Sequence, residues 1–172
     1  RLVLGADGRS SEIRNQAGIS VSTTRFGQKA LAFAVTHPIP HQNVSTEIHR
    51  SGGPFTLVPL PDYQGQPSSA VVWMETGPNA LALSNMPTEA FEAEMSARSC
   101  NHLGSLRLVT RRSLWPIICQ LPTRLSGQRV ALIAAAAHVV PPIGAHGLNM
   151  SLGDIDALLT LAKAVPSRFG DP

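Results

Sequence analysis

Cysteine is scarce in this 172-residue chain: Cys100 and Cys119 are the only two, and they lack C-x-x-C spacing. That pattern argues against a structural zinc site and reads as two reduced, buried thiols of a cytoplasmic protein rather than a disulfide. Charged residues make up 15% of the chain and aromatics 5%. The cations exceed the acids by only three and form no cluster denser than Arg111-Arg112. The basic stripe with interleaved aromatics that marks nucleic-acid binding is missing, so no nucleic-acid partner is expected. No apolar run approaches the roughly 18 residues of a membrane-spanning helix, and no stretch reads as a signal peptide. Internal repeats and low-complexity tracts are also missing. What remains is a chain that is 43% hydrophobic, enough to build a packed core.

The opening "RLVLGADGRSSEIR" reads as a short buried strand, a glycine turn and a short helix. Gly5 and Gly8 allow backbone conformations that a side chain would oppose. Ser10 or Ser11 is placed to cap the helix carrying Glu12, Ile13 and Arg14. From about Gly18 the texture changes. "KALAFAVTH", "NVSTEIHRS", "PFTLVPL" and "SAVVWME" are strand-like runs separated by Pro, Gly, Asn and Gln clusters, the signature of an antiparallel sheet. "MPTEAFEAEMSAR" reads as a helix opened by Pro87 or Thr88, with Phe91 and Met95 on one face. "SLRLVTRRS" is a further strand candidate. After a turn at Ser126-Gly127, "RVALIA" reads as a buried strand. From Gly147 a helical pattern puts Leu148, Leu152, Ile155, Leu158, Leu159 and Ala162 on one face, weakened locally by Gly153.

Two distant segments thus share one layout, strand then glycine turn then helix, and they flank a sheet-rich middle. A strand that runs through a Gly/Pro loop into a helix aims unpaired backbone N–H groups at one spot, which suits an anionic or electron-rich ligand group. Gly144 and Gly147 would let a flat ring approach the backbone. Pro141-Pro142 would stiffen the loop. The histidines do not suggest a metal site: His37, His41 and His49 lie on separate segments without a carboxylate pattern. His138, in an apolar run, reads as a structural histidine, and His146 as a surface one. Trp73 and Trp115 read as packing residues, with Trp73 also a candidate to face an aromatic substrate. No catalytic side chain can be assigned.

The stretch "RVALIAAAAHVVPPIGAHGLNMSLGDIDAL" resembles the second flavin-binding motif of the FAD-dependent aromatic hydroxylases, the group that contains p-hydroxybenzoate hydroxylase. Ala136-Ala137-His138, Pro142, Gly144, Gly147-Leu148-Asn149 and Asp154 match it. "GADGRSSEIR" is similar to the same family's Asp-Gly motif at Asp7-Gly8, Ser11 and Arg14. The middle segments are similar to the ubiquinone-biosynthesis branch, the 2-polyprenyl-6-methoxyphenol hydroxylases. The resemblance spans roughly residues 1–164.

The resemblance implies a mixed α+β fold: an antiparallel-sheet substrate domain at 19–113, and the second half of a Rossmann-like FAD domain built from 1–18 and 114–172. It implies FAD as cofactor, NAD(P)H as reductant and a phenolic, polyprenylated substrate in an apolar pocket. It further implies peripheral contact with the inner membrane and a place in a biosynthetic complex. Cofactor-binding residues would be Asp7, Gly8, Arg14, Pro142, Gly144, Gly147, Leu148 and Asn149. Backbone amides around Gly147, Leu148 and Asn149 would face the flavin's pyrimidine edge. Asp7 would organise the pyrophosphate and nicotinamide side, with Arg14 supporting that turn.

Two departures stand out. The family's Gly-Asp pair falls on Ala134-Ala135, removing a carboxylate that would accept a hydrogen bond from the ribityl chain. The Gly-x-Gly-x-x-Gly fingerprint for the ADP half is not in these residues and is expected upstream of Arg1. On this reading the chain is a fragment, inactive alone and binding FAD weakly or not at all. Two alternatives stay open: a non-catalytic homologue serving as a scaffold or assembly subunit, and a hydroxylase of a small soluble phenol.

Overall fold

The computed structural model describes residues 1–144, 146–164 and 166–168. In chain order the elements are β1 (Val3–Gly5), α1 (Glu12–Gln16), β2 (Val21–Thr36), β3 (Thr46–Arg50), β4 (Gly53–Tyr63) and β5 (Gln66–Thr76). They continue with α2 (Gly77–Asn85), α3 (Thr88–Arg98), β6 (Arg107–Leu108), β7 (Ser113–Pro122), β8 (Ser126–Gly127), β9 (Val130–Leu132) and α4 (His146–Ala164). The fold is mixed α+β with a large antiparallel sheet. The chain divides into two compact units, one formed by Arg1–Phe26 with Ile118–Pro172 and the other by Gly27–Ile117.

The Gly27–Ile117 unit is built on the antiparallel sheet β3-β4-β5-β2-β6, with β7 also pairing to β2. The run "KALAFAV" looks continuously apolar because alanines fill the face opposite its large residues, where Ala32 and Ala34 are only half-buried. Its large residues Leu31, Phe33 and Val35 alternate onto one face, where they join Phe55, Leu57, Val71 and Trp73. Ala80 and Leu83 of α2 and Phe91 and Met95 of α3 close that core. Ring contacts key it: Phe33 meets Phe91 edge-on at 5.1 Å, and Phe55 meets Trp73 at 5.4 Å. Ala30, Met74 and Ile117 cluster separately. The β4–β5 hairpin turns through Gln64 and Gly65, at φ 52° and 77°, the two positive values a tight two-residue hairpin requires. Trp73 is therefore a packing residue, buried at 3% exposure.

The Arg1–Phe26 and Ile118–Pro172 unit holds a small sheet of order β1-β9-β8. β1 runs parallel to β9 with Val3 opposite Val130 and Gly5 opposite Leu132, and β8 lies antiparallel to β9. Its core is correspondingly small: Ile19, Leu132 and Ala137. Several expectations of burial fail. Of β9, read as a buried strand, only Leu132 is buried, while Val130 and Ala131 are half-buried. Neither thiol is buried: Cys100 is exposed and Cys119 half-buried. In β1 only Gly5 is buried, because Val3 and Leu4 lie on an edge strand and stay exposed. The helix α4 forms as the periodicity predicts, yet none of its described residues is buried; Leu148, Leu152, Ile155 and Leu159 are all exposed. A pattern of period 3.6 specifies the stripe but not that anything covers it. No helix among the described residues is long and apolar enough to cross a membrane.

Candidate functional site

The first strand–turn–helix segment closes tightly. A Cβ at Gly5 would fall 2.8 Å from Leu132 Cδ2, so only glycine lets β1, α1 and β9 meet there. Gly8 takes φ +89° in the turn. Ser11, rather than Ser10, caps α1: its hydroxyl accepts from the Arg14 N–H at 3.0 Å. Asp7 works on the same helix end. One carboxylate oxygen accepts from the Ser11 hydroxyl, and the other from the N–H groups of Glu12 and Ile13 at 2.8 and 3.1 Å. These bonds, the Ser11 hydroxyl foremost, hold the Asp7 carboxyl below its ordinary value of 3.8. Asp7 thus organises the α1 start, and Gly8 sits within the loop it organises.

Arg14 is 3% exposed. Its Nη1 donates to the Ala136 carbonyl at 3.1 Å and its Nη2 to the Arg9 carbonyl at 3.0 Å. One arm crosses to the second segment, so the two motifs are physically joined.

The second segment leaves β9 at Ile133 and tightens into a 3-10 turn over Ala134–Ala136. Ala134 has φ +53°, a left-handed conformation that costs a residue with a Cβ roughly 1–2 kcal/mol. The family resemblance puts glycine at this position, and the geometry supplies the reason. Ala136 and Ala137 are buried, whereas Ala135 is exposed. Asp154, about two turns into α4, reaches back with one oxygen: Oδ2 lies 2.8 Å from the Ala134 N–H and 2.8 Å from His138 Nε2. This brace ties the turn after β9 to α4. Sequence reading marked Asp154 as a motif match and His138 as structural; their pairing across 16 residues was not legible.

Between the brace and the helix, the Ile143 N–H donates to the Pro141 carbonyl at 2.8 Å and Gly144 takes φ +69°. Pro142, Gly144, Gly147, Leu148 and Asn149 are all exposed. Ala145 falls outside the described residues. Among the described residues nothing lies within 4 Å of where a Gly147 side chain would project. The first N–H groups of a helix of this length have no intrahelical acceptor, so the α4 start offers an open, donor-rich surface with little side chain in the way. Such a surface suits an electron-rich planar edge.

His37 and His49 have local partners. His37 is buried between the Ile39 carbonyl at 2.8 Å and the Ser69 hydroxyl at 2.9 Å, and burial holds its pKa below 6.5. His49 pairs with Glu47 at 2.6 Å. Among the described residues no group of three or more His, Cys, Asp or Glu side chains gathers in the manner of a metal site.

The model of the "FAD binding domain" family matches residues 1–166. The chain is 36% identical over 173 residues to the ubiquinone hydroxylase UbiL of Rhodospirillum rubrum, covering 100% of this chain and 39% of that protein. It is 26% identical over 159 residues to the 3-demethoxyubiquinol 3-hydroxylase of Escherichia coli, covering 92% of this chain and 39% of that one. The chain therefore spans about two-fifths of the length of these relatives. Among solved structures, the flavin-dependent halogenase CmlS superposes with a TM-score of 0.74 at 13% identity, over 98% of this chain and 32% of that one.

Proposed function

The chain belongs to the FAD-binding domain family, and on that premise we propose that it is part of an FAD-dependent monooxygenase that hydroxylates a phenolic ring, with a polyprenylated phenol of ubiquinone biosynthesis as substrate. The observation that carries this reading is the alignment of the whole of this chain with about two-fifths of a relative named as a ubiquinone hydroxylase.

FAD fits these residues at one edge and loses a contact at another. The amides of Gly147, Leu148 and Asn149 at the open α4 start would bind the pyrimidine edge of the ring and favour negative charge on it. Pro142 and Gly144 would line the approach. Asp7, Gly8 and Arg14 would act through the α1 turn they build, on the pyrophosphate side. Ala135 offers only a methyl group where the resemblance expects a carboxylate, so one ribityl hydrogen bond is missing. When bound, FAD would supply the redox chemistry of a nicotinamide- and O2-dependent ring hydroxylation. This chain's own residues bind and orient it: Asp154 holds the turn after β9 against α4, and Arg14 holds that same turn to the Asp-Gly segment.

The test is NAD(P)H oxidation by the intact flavin-loaded protein across a phenol panel. Stimulation by a polyprenylated phenol above that by small soluble phenols is expected. Equal or greater stimulation by soluble phenols would change the substrate class. Association with anionic liposomes in flotation is expected of the same preparation, as peripheral membrane contact.

Ala134-Ala135 also favours a second reading, a non-catalytic scaffold or assembly subunit. A colourless intact protein that takes up no added FAD would select it.

A further inference from the structure

The connection from β2 to β3, residues 37–45, opens with "HPIPH". In the sheet order β3-β4-β5-β2 it has to pass β5 and β4 to reach β3, so it lies across the β4–β5 hairpin as a strap. Its first part is anchored. The His37 N–H donates to the Pro67 carbonyl at 3.0 Å and the Ile39 N–H to the Leu103 carbonyl at 3.3 Å. Gly104 lies so close that a Cβ there would fall 2.6 Å from Pro38 Cγ. The second part turns through Gln42 and Asn43, both left-handed at φ 51° and 59°, a conformation unfavourable for residues with a Cβ. The Val44 N–H closes the turn on the His41 carbonyl at 2.9 Å.

Each histidine of the strap has one ring nitrogen facing an acceptor and the other facing a donor. His37 Nδ1 lies 2.8 Å from the Ile39 carbonyl and so carries the hydrogen, while Nε2 accepts from the Ser69 hydroxyl at 2.9 Å. His41 takes the opposite tautomer. Its Nε2 donates to the Leu60 carbonyl of β4 at 3.2 Å, and its Nδ1 accepts from the Asn43 N–H at 3.0 Å. Only neutral rings satisfy both patterns. The Ser69 hydroxyl can rotate to accept from a protonated His37; the Asn43 N–H has no such freedom. A proton on His41 Nδ1 therefore meets the Asn43 hydrogen and removes the bond that supports the left-handed pair.

The two rings are 5.8 Å apart, so charge on one opposes charge on the other. His37 is 3% exposed. Burial holds its pKa below 6.5 with the His41 charge adding to the lowering, against the Ile39 carbonyl and the Asp62 charge, which raise it. His37 thus stays neutral as the anchor, and the half-buried His41 is the ring that solvent reaches. Asp62 of β4 favours a proton at this end of the sheet. Arg107 of β6 lines a cavity with His37 but is paired with Glu92 at 2.6 Å. In the α3–β6 connection, Leu103 and Gly104 meet the strap without charge, and His102 is exposed.

We propose that residues 40–45 form a proton-operated strap: neutral His41 pins them to the β4–β5 hairpin, and protonation of His41 releases them while residues 37–39 and the sheet stay in place. Every residue involved belongs to the Gly27–Ile117 unit, so the strap does not depend on the flavin reading.

The experiment is hydrogen exchange of the intact protein between about pH 8 and about pH 5, corrected for the intrinsic rate at each pH. Protection over residues 41–45 should fall about tenfold or more on acidification, with residues 30–35 of β2 and 70–73 of β5 unchanged. His41→Asn, whose Oδ1 accepts from the Asn43 N–H at either pH, should keep that protection at both. His41→Ala should lack it at both. Nitrogen-15 spectra of labelled histidine should show an Nε2–H tautomer for His41 and Nδ1–H for His37 at about pH 8. Protection in the parent that ignores pH overturns the strap, as does an equal fall in His41→Asn or an Nδ1–H tautomer at His41. A fall shared by β2 and β5 means that acid unfolds the sheet, and it overturns the proposal too.

Discussion

The Nη1 of Arg14 donates to the carbonyl oxygen of Ala136 at 3.1 Å, across 122 positions of sequence. The two motifs that flank the large sheet are one structure because of this contact and its neighbours. Gly5 packs on Leu132, Ala136 and Ala137 are buried, and Asp154 pulls α4 onto the same turn.

Arg14→Met should therefore destabilise the Arg1–Phe26 and Ile118–Pro172 unit by about 2–4 kcal/mol, since two carbonyls lose a charge-assisted donor in a buried place. Urea unfolding checks it. A loss below 0.5 kcal/mol, typical of surface substitutions, would mean the bond carries little.

Ala134→Gly should stabilise the fold by roughly 0.5–1 kcal/mol. Relief of the left-handed strain at φ +53° outweighs the added freedom of glycine in the unfolded chain. Thermal melting of the variant against the parent reads it directly. A lowered midpoint would show that the strain is not relieved.

Ala135→Asp should tighten FAD binding about 10- to 100-fold in the intact protein, the equivalent of one hydrogen bond to a charged acceptor of about 1.5–3 kcal/mol. Quenching of flavin fluorescence on titration gives the affinity. An unchanged affinity would remove Ala135 from the cofactor site.

Asp154→Ala should free both the Ala134 N–H and His138 Nε2, costing about 2–3 kcal/mol and loosening the α4 start. Asp154→Asn should recover part of that stability because its amide oxygen still accepts from Ala134. Amide hydrogen exchange at the α4 start should rise in Ala and much less in Asn; identical exchange in the two would exclude the brace.

Acid should act in two windows. The His37 pKa is lowered by burial from 6.5, so the folded state favours the neutral ring. That stability is full above 6.5 and is lost as pH falls below it. The Asp7 pKa is lowered from 3.8 by the Ser11 hydroxyl and the α1 amides. Its contribution is full above 3.8 and lost only as pH falls further. His37→Gln should flatten the upper limb of the urea-midpoint profile, and Asp7→Asn the lower one. A profile unaltered by both variants would refute this assignment.

Much of the scaffold was legible because it follows from local rules. The strand-like runs of β2, β4 and β5, a serine cap at position 10 or 11 and a helix opening at Pro87 or Thr88 with Phe91 and Met95 on one face follow from turn punctuation, period and capping chemistry. Three elements were not legible. The first half of β2 is polar and exposed, β7 carries Pro116 within its span, and α2 is short with little amphipathic contrast. Each exists through pairing or packing with distant partners, which a local window does not contain.

By itself the sequence determined which backbone positions can turn, which stripes are apolar and which residues match a flavin-binding pattern, because steric freedom, periodicity and residue chemistry are local. Only the tertiary structure decided that Arg14 is clamped to Ala136, that one oxygen of Asp154 serves both Ala134 and His138, and that α4 presents its stripe uncovered. Those facts depend on groups 16 to 122 positions apart meeting at hydrogen-bond distance, and such meetings are fixed by the packing of the whole unit.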